Sequence, residues 1–242
     1  MRIPRIYQAG DYSVGDNVEL EAEAFQHIVT VLRLKQGAKL VIFDGKGSSF
    51  NAAILSINKK SCRITLSNVT HSEPPKFQIT LVQAIIKPDK MDLIMQKAVE
   101  LGVTKIIPLI TENCQVKLNK ENFEKKSGHW RKIIVGACEQ CGNNFLPELM
   151  PIGHINDQSI EPSPMLHIVL DPYAKKSFNE IPKDLRGVAV LIGPEGGLTD
   201  SEIKSLQSKE NFMAVRLGQR ILRAETAAIA GITLCQWLNG GL

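Results

Sequence analysis

Residues 192 to 197 read IGPEGG, with Gly193, Gly196 and Gly197 set around Pro194 and Glu195. Glycines at a turn let a ligand lie directly against the main chain, so the segment has the makings of a binding loop. A phosphate loop would add a lysine and a Ser or Thr to its backbone N–H groups. This loop supplies a carboxylate instead, which repels an anion and suits a neutral or positively charged ligand. An ordinary tight turn with Glu195 in solvent explains the same residues. A second group lies in LGQRILRAETAA, residues 217 to 228. Arg220 and Arg223 flank two apolar residues, and Glu225 and Thr226 open a helix rich in alanine. Two cations and a carboxylate there could stabilise a developing anion and move a proton. A plain core helix would account for the alanines and leave the charged residues unexplained.

The elements that must hold these groups follow from periodicity. Val188 to Ile192 is a short β-branched apolar run, and Thr199 with Glu202 three residues on forms a capping box, so the glycine loop joins a strand to a helix. Open α/β sheets bind ligands at that junction. Strands are expected at 78 to 86, 105 to 110, 166 to 172, 188 to 192 and 212 to 218. Helices are expected over 88 to 103, near 120 to 140, and over 200 to 208 and 224 to 238. Met91, Ile94, Met95, Ala98 and Leu101 share one face of the first of these. From about residue 76 the chain therefore reads as an α/β domain with a mostly parallel sheet.

The first 70 residues differ. Apolar runs at 38 to 43, 50 to 57 and 62 to 69 are separated by the turn signals DGKG and NKKS, an antiparallel meander. Phe25, Ile28, Val29 and Leu32 recur at helical spacing ahead of it, so a small barrel-like β domain with one packed helix is expected. THSEPPKF, residues 70 to 77, is a linker, because two prolines stop helix and ladder alike.

Of the 242 residues, 43% are apolar and 22% charged, the balance of an ordinary soluble globular protein. The first ten residues have no signal-peptide core and no window reaches the 18 apolar residues of a membrane span, so a cytoplasmic location is expected. Five scattered cysteines argue against a disulfide framework. Cys138 and Cys141 form a C-x-x-C without a second half-site, the histidines are isolated, and no metal site is expected. The net charge of +4 permits a nucleic-acid partner without requiring one. Basic residues come in pairs: Arg2 with Arg5, Arg33 with Lys35, Lys87 with Lys90, Arg131 with Lys132. Gathered round one cleft they would make a track for phosphates. The last helix, apolar on every side from Ala227 to Leu238, calls for cover by a second copy of the chain.

KPDKMDLIMQKAVELGVTKIIPLITE, ACEQCGNN, IGPEGGLTDSE and LGQRILRAETAA occur in this order, together with RIPRIY and HIVTVLRLKQG near the N-terminus. With them the chain resembles the bacterial 16S ribosomal RNA (uracil-N3) methyltransferases, the RsmE family, over nearly its whole length. The resemblance implies a PUA-like RNA-binding β-barrel over residues 1–70 and a SPOUT α/β trefoil-knot methyltransferase domain over 76–242. It implies S-adenosylmethionine (SAM) as cofactor, a homodimer, and 16S rRNA or the 30S subunit as partner. By motif, Leu170, Ile192, Gly193, Gly197, Leu217, Gly218, Ile221 and Leu222 would surround the cofactor. Arg220 or Arg223 would stabilise the uracil anion, and Glu195 or Glu225 would take the proton. Arg2, Arg5, Arg33 and Lys87 are the candidate RNA contacts. A β-branched residue at Gly197 is expected to block the cofactor and leave the fold intact. The family usually has arginines where this chain has Asn113 and Asn143. Two other functions fit the same architecture: a ribosome-binding or assembly protein without catalysis, and methylation of a different RNA.

Overall fold

The computed structural model describes residues 3–115, 120–155, 165–183 and 185–239. The chain divides into two compact units, the first made of Met1–Pro74 with Val135–Leu146 and the second of Pro75–Ile134 with Pro147–Leu242.

The first unit is built on β1 (Arg5–Tyr7), β2 (Asn17–Glu19), β3 (Lys39–Phe43), β4 (Ser48–Ile57) and β5 (Cys62–His71), in the order β1-β3-β4-β5-β2. β3, β4 and β5 form the expected antiparallel meander, β2 joins β5 antiparallel, and β1 runs parallel to β3. Alternate side chains point inward, so Leu40, Ile42, Phe50, Ala52, Ile54, Ile64 and Leu66 make one core with Ile6 and Ile28. The expected helix is α-helical only over α1 (Ala22–Phe25) and continues as a π-helix over Gln26–Val31. Its run of Ile28, Val29, Thr30 and Val31 is β-branched throughout, which crowds the preceding turn of an α-helix.

The second unit carries a wholly parallel sheet of β6 (Gln78–Ala84), β7 (Lys105–Ile110), β8 (Glu148–Leu149), β9 (Gly153–His154), β10 (Leu166–Leu170), β11 (Lys176–Ser177), β12 (Gly187–Ile192) and β13 (Phe212–Arg216). The order is β11-β13-β10-β12-β6-β7-β8, with β9 also pairing β7. All six residues of β12 are buried, as a central strand covered on both faces requires. The helices of this unit are α2 (Pro88–Glu100), α4 (Asp200–Gln207), α5 (Ala224–Leu238) and the part of α3 (Lys120–Cys141) that ends at Ile134. Leu198 and Leu206 at α4 pack with Ala189 and Leu191, whereas Gly231 of α5 abuts Val190 and Leu170. Successive residues of a strand face opposite ways, so α4 and α5 cover opposite faces of the sheet.

One segment of the chain crosses the division expected at residue 76. Val135–Leu146, assigned from the sequence to the second domain, belongs to the first unit. Its polar groups are partnered there: Glu139 Oε1 accepts from the Tyr7 N–H at 3.0 Å, Leu146 N–H donates to Gly45 at 2.9 Å, and the Asn144 amide donates to Ser72 Oγ at 2.8 Å. Burial pushes the Cys138 thiol up to about 12, with Cys141 and Glu139 adding to the effect. Cys141, by contrast, is exposed. At pH 8 a pKa near 12 leaves roughly one thiol in ten thousand ionised, so alkylation should mark Cys141 well before Cys138. Mass spectrometry of the peptides checks this, and equal rates would show that the helix end opens. Among the described residues no group of three or more His, Cys, Asp or Glu side chains could hold a metal ion, and no helix is long and apolar enough to cross a membrane.

Candidate cofactor and catalytic site

Register places two of the candidate cofactor residues side by side. Leu170 at the end of β10 is the partner of Ile192 on β12 and of Val215 on β13. The segments beginning at Asp171, Gly193 and Leu217 therefore leave the same C-terminal edge of one parallel sheet, the usual ligand position in open α/β folds. Ile192 is buried, Leu170, Gly193, Leu217 and Leu222 are half-buried, and Gly197, Gly218 and Ile221 are exposed. The Gly197 N–H donates to the Pro194 carbonyl at 2.9 Å, closing a tight turn. Gly197 (φ +72°) and Gly218 (φ +123°) both lie in the left-handed region, and a Cβ on either would meet nothing within 4 Å. Two loops thus present bare main chain to open space. On the sheet below them α5 comes so close that a Cβ on Gly231 would fall 2.8 Å from Leu170 Cδ1.

The four candidate catalytic residues fall into two kinds. Arg220, Arg223 and Glu195 are exposed. Arg223 is the N-cap of α5, without a side-chain capping bond. A cation at the positive end of a helix dipole is unfavourable locally, and departures of this sort concentrate at functional sites. Glu225 in the first turn of α5 is buried and pairs with Lys90 Nζ at 3.1 Å. Hydrogen bonding to its own backbone N–H, then Lys90 and the nearby Arg223, hold its carboxyl below the usual carboxylate range against the opposing effect of burial. A depressed folded pKa adds stability above the ordinary carboxylate value, and that stability is lost as pH falls through the folded pKa. Glu225→Gln should cost about 1 kcal/mol at pH 7. The difference should vanish in acid, and denaturant unfolding at both pH values reads it. A cost independent of pH would mean packing, not charge, holds the pair.

Glu195 is tied differently, its Oε1 accepting the Lys87 backbone N–H at 3.3 Å. Asn113, read from sequence as a lost cation, donates its amide to the carbonyls of Gly196 and Gly197 at 3.2 and 3.1 Å. Asn143 caps its own turn, accepting the Phe145 N–H at 3.0 Å. The capping box of α4 is present in both halves, with Thr199 and Glu202 bonded to each other's backbone N–H. Tyr173, which sequence reasoning passed over, is 81% exposed on a turn closed by Asp171, whose Oδ1 accepts the Tyr173 N–H at 2.9 Å. A cavity of about 490 Å³, lined by Ile110, Glu112, His154, Ile155, Ser201 and Glu202 among others, includes none of the candidate cofactor residues.

The candidate RNA contacts are divided between the two units. Arg33 and Lys87 are exposed in separate units, Arg33 with a left-handed φ of 51°. Arg5 is half-buried, bonded through its guanidinium to Asn144 Oδ1 and seated over the Phe43 ring at 5.0 Å. Arg2 lies outside the described residues.

An RNA methyltransferase domain matches residues 72–236, and an RNA methyltransferase PUA domain matches residues 20–67. The chain belongs to the RNA methyltransferase family. Its second unit is a SPOUT-type α/β methyltransferase fold and its first is PUA-like. Among its relatives is a ribosomal RNA small subunit methyltransferase E from Buchnera aphidicola, 37% identical over all of this chain and 98% of that protein. Another, from Rickettsia conorii, is 34% identical over 99% of this chain and 97% of its own. Among solved structures, a Legionella pneumophila protein in complex with the bound cofactor SAM superposes with a TM-score of 0.94 at 42% identity, covering 99% of each chain. The Neisseria gonorrhoeae ribosomal RNA small subunit methyltransferase E bound to SAM does so at 0.90 and 33%, covering 98% of each.

Proposed function

We propose that this RNA methyltransferase moves a methyl group from SAM to N3 of a specific uridine in 16S rRNA, as a homodimer. The observation that carries the reading is the meeting of three adjacent strand ends under two loops, each with a left-handed glycine facing open space. The donor set fits SAM. Apolar Leu170, Ile192 and Leu222 suit adenosine, bare main chain suits its polar edges, and no phosphate cradle is built in. SAM supplies the electrophilic methyl group on a sulfonium.

The chain's own residues do the rest. N3 of uracil is a poor nucleophile until it loses its proton, so the site must take that proton and stabilise charge spread onto O2 and O4. Arg223, anchored at the head of α5, and Arg220 stabilise the anion. Of the two carboxylates, Glu225 is committed to Lys90 and held ionised, which makes it the weaker base; Glu195 accepts the proton, directly or through water. N3 lies on the Watson–Crick edge, so the base must be unpaired or turned out. Arg33 and Lys87 contact phosphates, whereas Arg5 holds the first unit together before it serves RNA.

The homodimer reading is supported by α5. One face, Ala224, Ala228, Gly231, Ile232 and Cys235, is buried within the chain, while Trp237 near the end of the helix is 67% exposed and Ile221, three residues before its start, 71% exposed. Transfer of label from SAM to undermodified 30S subunits or free 16S rRNA tests the function; binding to the subunit without transfer would favour the assembly-protein reading.

A further inference from the structure

Asn113 sits in the turn that follows β7, and that turn is fixed at three points. The Cys114 N–H donates to the Thr111 carbonyl at 3.1 Å, the Cys114 thiol to the Ile85 carbonyl at 3.2 Å, and the Glu112 N–H to Glu202 Oε1 at 2.9 Å. Glu202 is itself buried, and its other oxygen accepts the Thr199 N–H at 2.8 Å. One carboxylate therefore joins the β7 turn to the start of α4, immediately after the glycine loop. From this frame the Asn113 amide reaches the carbonyls of Gly196 and Gly197, and its Cβ stands only 3.0 Å from where a Cβ on Gly196 would be.

We infer that Asn113 is a positioning residue for the cofactor loop. It grips the carbonyl side of Gly196 and Gly197, which fixes the orientation of both peptides and keeps the left-handed Gly197 facing the ligand. Glycines give the loop its approach to ligand but carry the largest conformational freedom of any residue. Without the clamp that freedom must be lost at each binding event, which weakens binding in proportion to the populated fraction of the competent loop. The neutral amide donates to carbonyls without placing a formal charge beside the sulfonium site. An aspartate of the same size has no N–H and would set its oxygens against both carbonyls.

This inference rests on the SAM reading of the loop, and its test separates the two. The probes are SAM affinity by calorimetry, thermal stability, and KM for SAM against kcat at saturating RNA. Asn113→Ala should weaken SAM roughly tenfold, the worth of two exposed neutral hydrogen bonds, and Asn113→Asp should weaken it more. KM for SAM should rise with kcat within about twofold, because the clamp acts on ground state and transition state alike. Hydrogen exchange of the Gly196 and Gly197 amides should quicken in both variants while that of β12 stays as in the parent. Asn113→Arg, which restores donors, should recover part of the affinity. SAM affinity and loop exchange unchanged in Asn113→Asp would overturn the positioning role with the SAM site intact; a parent protein that binds no SAM would overturn the reading beneath it.

Discussion

Arg223→Ala should lower the single-turnover rate of methyl transfer by roughly 10²–10³-fold at saturating RNA and SAM, the usual cost of removing one group that stabilises a developing anion. RNA affinity should change by no more than a few-fold, because one exposed arginine contributes at most about one unit of the salt slope. The expectation comes from where Arg223 stands. It caps α5 with its cation at the positive end of the helix, two residues from Glu225 and next to the candidate cofactor residue Leu222. Folding gains little from that placement, and on the proposed function chemistry would gain a charge held by backbone that also shapes the loop. Arg223→Lys should recover only part of the rate, because an ammonium lacks the planar fork of donors. If saturating RNA returns Arg223→Ala to the parent rate, Arg223 serves binding, and the catalytic role passes to Arg220 or to the partner subunit.

Gly197→Val should abolish measurable SAM binding, and Gly197→Asn should weaken it more than about tenfold while leaving thermal stability near that of the parent. The sequence-based expectation that a β-branched residue would leave the fold untouched is corrected by the backbone. At φ +72° valine is strained, which costs of order 1–3 kcal/mol, and it can lose binding by distorting the Pro194–Gly197 turn. Asparagine adopts left-handed backbone readily, and the absence of any atom within 4 Å of a Cβ leaves it room. Its loss of affinity therefore reports the ligand's own need for that space. Normal calorimetric affinity in Gly197→Asn would move the cofactor elsewhere.

The capping box, the strand before the glycine loop to within one residue and the boundaries of α5 were legible because each depends on local spacing, which the sequence displays directly. So were the meander and the buried face of α2, where Met91, Ile94, Met95 and Ala98 are all buried. Two-residue strands such as β8 and β11 were not, because a pair of residues has no period. Nor was the return of Val135–Leu146 to the first unit, which depends on Glu139 meeting Tyr7 and Asn144 meeting Arg5 and Ser72 across large separations. Among the candidate site residues, the glycines and arginines stood out by type. The partners of Asn113, Glu195 and Glu225 did not, since an ion pair to Lys90 and a clamp on two carbonyls leave no trace in composition. α5 was read as greasy on all sides; the structure shows one side taken by the sheet and α2, with Trp237 left exposed.

The most direct test of the account is the identity of the methylated nucleoside. Purified protein, labelled SAM and undermodified 30S subunits are incubated, the 16S rRNA is digested to nucleosides, and the labelled product is resolved by chromatography and mass spectrometry. The account predicts a single labelled product that co-migrates with 3-methyluridine and is absent with Arg223→Ala at early times. Label in a ribose-methylated or C5-methylated nucleoside, or in no nucleoside at all, would contradict it.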